Sequence, residues 1–274
     1  MSKVSRPLRY LVLLLLGAIW ILPLYLVLIN SVTSPEEYRE KTVYSVPSHF
    51  AFWDNISAAW DAVDLGTSIG STLFYATVGG ILAVFFGSLA AFAIVNLRIK
   101  RGFLWFMLIY AGTIFPFQMY LAPLYTSYVR FNLYDTRQGL LIFYTAIAIP
   151  FAVFVVRNHF TSIPFDITEA AKIDGARPFR VYAQIYLPLS VNAFLTVFIL
   201  QFTWIWNDLL FGLTLSKSAN IRPIMTALAG LQGQYASASI PVVLAGALIV
   251  SIPTFILFFS VQRIFVRGLS VTGS

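Results

Sequence analysis

Ile163-Pro164-Phe165-Asp166-Ile167-Thr168-Glu169-Ala170-Ala171-Lys172-Ile173-Asp174-Gly175-Ala176-Arg177-Pro178, running on to Leu187-Pro188-Leu189, is a charged, turn-bearing segment in an otherwise apolar chain. Local rules read it as two short helices with a forced bend between them. Asp166 is placed to cap the first helix, and Glu169, three residues on, takes the reciprocal position of a capping box. Gly175 stands where a left-handed stop residue belongs, and Pro178 stands near the first turn of the next helix. A helix of about two turns is unstable alone in water. Packing must therefore hold it, and the small Ala170-Ala171 surface lets another backbone come close. That is the shape of a docking element.

The surrounding chain is too greasy for a soluble protein. Of its 274 residues, 59% are hydrophobic and 11% charged, where soluble domains carry about 25% charged residues. One integral-membrane domain over residues 1–274 is the expectation, with the docking segment in a cytoplasmic loop over residues 157–192. There is no cysteine, which excludes disulfides, thiol catalysis and thiolate metal sites. Only His49 and His159 are available, so no histidine-rich metal centre is expected. No catalytic residue and no metal ligand is assigned.

Six stretches are long enough to cross a hydrocarbon core, which takes roughly 20 apolar residues. They lie near Tyr10–Asn30, Thr67–Val95, Phe103–Tyr125, Gly139–Val156, Ala193–Leu215 and Ile240–Val261. The first is too long for a signal peptide and is read as a retained helix. With the N-terminus inside, the inner side carries Lys3, Arg6, Arg9, Arg98, Lys100, Arg101, Arg157, Lys172, Arg177, Arg180, Arg263 and Arg267. Its acidic companions are Asp166, Glu169 and Asp174. The outer side carries Arg39, Lys41, Arg130, Arg137, Lys217 and Arg222 against Glu36, Glu37, Glu40, Asp54, Asp61, Asp64 and Asp135. This asymmetry satisfies the positive-inside rule. The formal charge of +7 is thus topological and gives no reason to expect nucleic acid as a partner.

Gly79, Ala83, Gly87 and Ala91 recur every four residues in the second span, a small-residue stripe that lets a neighbouring helix approach. It serves either packing within the chain or a face toward a partner. Asp208 sits near the outer end of the fifth span, with Trp204, Asn207 and Phe211 at three- or four-residue spacing or adjacent to it. Ionisable groups within spans face a bundle interior or a water-filled route. Aromatic faces beside hydrogen-bonding groups suit a sugar ring, whereas a bond from Asp208 to a neighbouring helix or loop is the plainer reading. Outside the membrane, residues 53–63 read as an amphipathic helix on the bilayer surface.

The order Glu169-Ala170-Ala171, three residues, Gly175 resembles the signature loop of bacterial ABC importer permeases. Three strings match the carbohydrate-import branch: Ile163-Pro164 through Leu187-Pro188-Leu189, Trp206-Asn207-Asp208 with Leu210-Phe211, and Gln262-Arg263-Ile264-Phe265-Val266-Arg267-Gly268-Leu269. The resemblance, to the small permease subunit of maltose-type importers, implies an all-α, six-helix type I importer fold. It implies a multi-pass protein of the bacterial cytoplasmic membrane with both termini in the cytoplasm. It makes Glu169, Ala170, Ala171, Asp174, Gly175 and Ala176 the surface that meets an ATPase. Trp204, Asn207, Asp208 and Phe211 become candidates for the substrate pathway. The implied partners are a second homologous permease, two ATP-binding subunits that hold the ATP and magnesium, an extracytoplasmic solute-binding protein, and lipid. The outer loop through Leu231-Gln232-Gly233-Gln234-Tyr235 is implied to meet that binding protein. The chain departs from the family after Leu189, where Ser190-Val191-Asn192-Ala193 stands in place of a further proline, and in its short tail.

No phosphate-binding G-x-x-x-x-G-K-[ST] loop is present, so ATP is expected on partner subunits and no cofactor on this chain. Gly66-Thr67-Ser68-Ile69-Gly70 has the spacing of a hydrolase elbow, but it opens a membrane helix rather than a strand-turn-helix. The alternatives are an ion-coupled secondary carrier, whose sites lie near the midplane in broken helices, and an importer permease for a glycerol phosphate or polyol. The secondary carrier finds one off-centre carboxylate and no internal repeat.

Overall fold

The computed structural model describes residues 6–97, 99–232 and 238–270, with side chains from Pro7 to Ser260 within these ranges. Every regular element among them is helical: α1 (Arg6–Ser31), α2 (Pro35–Glu40), α3 (Phe52–Val63), α4 (Leu65–Asn96), α5 (Gly102–Ala111), α6 (Leu121–Arg130), α7 (Arg137–Ser162), α8 (Phe165–Ile173), α9 (Pro178–Val181), α10 (Leu187–Leu189), α11 (Val191–Trp206), α12 (Leu210–Leu215), α13 (Ile224–Gly230) and α14 (Ile240–Ser270). A 3₁₀ turn, Phe117–Tyr120, precedes α6, and a π-helical turn, Tyr182–Tyr186, joins α9 to α10. The side chains of the C-terminal string from Gln262, the loop residues Gly233–Tyr235, and Arg98 and Lys3 lie outside the described residues.

Four of the six expected spans are continuous helices: Pro7–Ser31, Leu65–Asn96, Arg137–Ser162 and Ile240–Ser260. The other two are interrupted. The third stops at Ala111, because Pro116 cannot donate to a helix ladder and pushes Phe115 out of the helical region. The Tyr120 hydroxyl lies within hydrogen-bond reach of the freed carbonyls of Phe115 (2.7 Å) and Gly112 (3.0 Å) and shares its one proton between them, the kind of internal satisfaction that broken membrane helices need. The fifth ends at Trp206, and the chain restarts as α12 after Asn207-Asp208-Leu209. At its N-terminal end, α11 meets the segment Pro178–Leu189 at a 75° bend through Ser190. This is where the sequence lacks the family's extra proline.

The chain divides into two compact units. In the first, residues 1–66 and 227–252, the long α1 displays its apolar side chains outward, Leu14 at 71% and Trp20 at 81% exposure. Each such side chain left in water forgoes about 1.5–3 kcal/mol, so the surrounding medium has to be lipid or apolar protein. The Asn55 side-chain amide of α3 donates to the carbonyls of Ser31 (2.9 Å) and Thr33 (2.8 Å). It thereby satisfies the orphan acceptors at the end of α1. Ala59 is fully buried, and a Cβ on Gly246 would come 3.3 Å from it. The buried face of α3 is therefore taken by protein, while Trp53 points outward. Within α2, the Glu37 carboxylate accepts from the Lys41 ammonium, the Ser48 hydroxyl and the Ser48 N–H, which hold its pKa down to about 2.

In the second unit, residues 67–226 and 253–274, the small-residue stripe of α4 lies against α7. A Cβ on Gly87 would meet Ala152 Cβ at 2.6 Å, and Ala83 and Ala91 are fully buried. Packing within the chain thus accounts for the stripe. One continuous core joins α4 (Ala91, Phe92), α7 (Ala152, Val156, Phe160), the docking segment (Val181, Tyr182, Tyr186) and α11 (Val197). Toward the other end, the segment from Ser216 to Ile224 is strapped to α4 and α7. Asp135 accepts from the backbone N–H groups of Lys217 (2.8 Å) and Ser218 (2.9 Å) and from the Ser218 hydroxyl. Ser71 and Arg137 both donate to the Asn220 carbonyl, and the Tyr75 hydroxyl donates to that of Ile221 (2.9 Å).

Candidate functional site

The docking segment has the predicted helix-bend-helix form, with one change at its start. The N-cap of α8 is Pro164, without a side-chain cap, and Asp166 lies inside the first turn. The expected Asp166 cap is therefore corrected: a proline with fixed φ opens the helix, and Asp166 acts only through its charge at the positive end. The stop is built as a two-bond C-terminal lock. Gly175 N–H donates to the Lys172 carbonyl (3.0 Å) and Ala176 N–H to the Ala171 carbonyl (2.9 Å), with Gly175 at φ +78°. Arg177 is extended and Pro178 begins α9.

Glu169, Ala170, Asp174 and Gly175 are exposed, and Ala171 and Ala176 half-buried. Sequence reasoning missed Ile173, an apolar side chain 86% exposed at the tip of α8. Its signal was an isoleucine one turn beyond Glu169 on the outward side of a helix whose apolar positions do not repeat cleanly. The expected inward row Phe179, Tyr182, Tyr186, Leu189 holds only in its middle. Tyr182 and Tyr186 are buried, whereas Phe179 is 74% and Leu189 53% exposed. The π-helical turn inserts extra backbone between these positions and breaks the 3.6-residue register that the expectation assumed.

The second candidate group is split by the structure. Asp208, 7% exposed, caps α12 by accepting from the N–H groups of Gly212 (3.0 Å) and Phe211 (3.4 Å), and its carboxylate accepts from the Tyr144 hydroxyl at 2.8 Å. Phe211 is buried, with its ring 4.2 Å from Phe143 and 5.9 Å from Phe117. Asn207 is exposed and donates to the Thr203 carbonyl. Trp204 alone of the four lines a cavity of about 740 Å³ between the segment after α5, the 3₁₀ turn, α6, α7 and α11. Phe117, Tyr120, Phe143 and Gln201 share its wall; Phe143 and Phe117 are the rings that Phe211 supports from behind. Gln201 and Tyr120 had no signal in the sequence, since each is one polar residue in an apolar run.

An apolar bundle with a side-chain-lined cavity thus carries outside it a short locked helix that presents alanines and carboxylates. The chain belongs to the family of binding-protein-dependent transport system inner membrane components, which matches it over residues 2–271. A melibiose/raffinose/stachyose import permease protein of Bacillus subtilis is 30% identical over 91% of this chain and 89% of that one. A probable ABC transporter permease protein of Pyrococcus horikoshii is 38% identical over 65% of each, so this chain spans just under two thirds of that relative. Among solved structures, a bacterial ABC transporter involved in the import of the acidic polysaccharide alginate superposes with a TM-score of 0.75 at 24% identity. That match covers 96% of this chain and 99% of the other. The fold is the all-helical type I ABC importer permease fold, and the protein is a membrane-embedded transport component.

Proposed function

We propose that this chain is one of two permease subunits of an ATP-driven importer for an oligosaccharide, with both termini and α8 in the cytoplasm. A second, homologous permease completes the pathway, two ATPase subunits hold ATP and magnesium, and a soluble binding protein delivers the sugar from outside. The observation that carries this reading is the locked, outward-facing α8. Glu169, Ala170, Ala171, Asp174, Gly175 and Ala176 form its contact surface for the ATPase, and the exposed Ile173 adds an apolar knob to seat in a cleft. Charge placement supports the inside assignment.

The 740 Å³ cavity is this subunit's share of the route, with Trp204 offering a ring face to sugar and Gln201 and Tyr120 offering hydrogen bonds. Asn207 is exposed and outside the lining, while Asp208 and Phe211 serve by holding the wall. The oligosaccharide class is favoured over glycerol phosphates because the cavity wall holds aromatic and amide groups and no cation. The sugars for which the Bacillus relative is named point the same way.

The test is to copurify the assembly, reconstitute it in liposomes with its binding protein, and screen raffinose, melibiose, maltose and glycerol phosphate for stimulated ATP hydrolysis and uptake. Stimulation by a di- or trisaccharide is expected, with uptake that persists when ion gradients are collapsed. Uptake that stops with the gradients while ATP remains would replace this reading with a secondary carrier.

A further inference from the structure

Thr168 is the one buried residue among the nine of α8, at 1% exposure. Its hydroxyl lies 3.0 Å from the Tyr186 hydroxyl and donates to Asn96 Oδ1 at 3.4 Å. The three residues belong to three elements: α8, the π-helical turn and the last position of α4. Tyr186 is fully buried, its ring 4.9 Å from Phe160 and 5.3 Å from Phe92. It is therefore fixed to the core of α4 and α7. With the half-buried Phe165 and Ala171, this hydroxyl ties α8 to the membrane bundle.

Two further observations bear on this tie. The Asn96 side-chain nitrogen is buried and meets no protein acceptor. Directly beside it is an open pocket of about 240 Å³, lined by Asn96, Leu97, Thr168, Lys172, Pro178 and Val181. The polar contact between Thr168 and the end of α4 thus borders a space in which α8 has room to shift.

We infer that Thr168 is the positioning residue that transmits displacement of α8 to the inner end of α4 and to the π-helical turn, with Tyr186 and Asn96 as its receivers. This rests on the reading of α8 as the element that meets the ATPase. It names the atom through which that contact reaches the membrane helices. Loss of the hydroxyl leaves α8 docked and disconnects what lies behind it.

The test is hydrogen–deuterium exchange of the assembled transporter, with and without MgATP and vanadate, read over α8, residues 93–97 and residues 182–186. In the unaltered complex the nucleotide shifts exchange in all three segments together. In Thr168→Val, which keeps the shape and removes the hydroxyl, the shifts in residues 93–97 and 182–186 fall several-fold while that in α8 persists. In Tyr186→Phe, which leaves the Thr168–Asn96 bond in place, only the shift in residues 182–186 falls. Thr168→Ser restores both. A nucleotide response of residues 93–97 in Thr168→Val equal to that of the unaltered complex overturns the inference. If Thr168→Val does not assemble, Tyr186→Phe decides, and an undiminished response of residues 182–186 there overturns it equally. If α8 itself shows no nucleotide response in the unaltered complex, the docking assignment beneath the inference is what fails.

Discussion

Replacing Asp208 with alanine separates a wall-supporting carboxylate from one that touches sugar. The Asp208 carboxylate is the acceptor for a fully buried Tyr144 hydroxyl and for two backbone N–H groups that open α12. Stranding the Tyr144 hydroxyl costs about 1–3 kcal/mol, and losing the helix cap about 1 kcal/mol. Asp208→Ala should therefore destabilise the unit by about 2–4 kcal/mol. Tyr144→Phe removes the other end of the same bond. When both partners become apolar no hydroxyl is stranded, so the double variant should lose little more than the cap. The two losses are then non-additive by about 1–3 kcal/mol, as expected for residues in direct contact. The assay is unfolding of the detergent-solubilised assembly, followed by tryptophan fluorescence at one scan rate, for the two single variants and the pair. Additive losses would refute the reasoning. So would an Asp208→Ala protein of unchanged stability whose sugar preference has changed, because the carboxylate would then face the solute.

Three shorter predictions rest on other parts of the structure. Gly175 holds φ +78° with nothing within 4 Å of a would-be Cβ. Gly175→Asn should thus preserve import, whereas Gly175→Val, strained by about 1–2 kcal/mol per left-handed residue, should keep membrane insertion and lower sugar carried per ATP hydrolysed. At Gly87 the obstacle is packing against Ala152. Gly87→Val should cost about 1–3 kcal/mol or more of overpacking and lower the melting temperature of the assembly, while Gly17→Val, in open space, should not. Burial alone would raise the Asp135 pKa, but the hydrogen bonds from Ser218 and Lys217 outweigh it and hold the carboxyl below its ordinary range. A depressed carboxyl pKa contributes stability that is complete above the unfolded value, about 3.9, and is lost as pH falls through the folded one. The melting temperature should therefore drop on acidification below about pH 4, with a smaller drop in Asp135→Asn.

The docking segment was legible because its determinants are local. A proline start, a glycine at positive φ and a second proline fix the bend within a few residues, whatever surrounds it. The small-residue stripe was legible as a contact, but its partner α7 was not, since that choice depends on how the whole unit packs. Hydropathy failed at the two interrupted spans for a definite reason. A window of about 20 residues averages over Gly112–Pro116 and over Asn207–Leu209 and sees apolar composition in both. What permits the breaks is the disposal of the freed backbone groups. Tyr120 answers its own interruption from eight residues away, and Asp208 caps the helix that follows it while Tyr144 binds it from 64 residues away. Only the first of these partners is within reach of a local reading. The first break also shapes the large cavity, through space rather than sequence. Gly112, Thr113, Phe117 and Tyr120 line the large cavity together with Trp204 and Gln201 from the last turns of α11. The room exists because a helix stops there. Thr168 repeats the lesson at smaller scale: in sequence it is one more polar residue on a solvent-facing helix. Its burial, and hence its place as the tie to α4, follows from Tyr186 arriving through a π-helical turn that no 3.6-residue periodicity foretells.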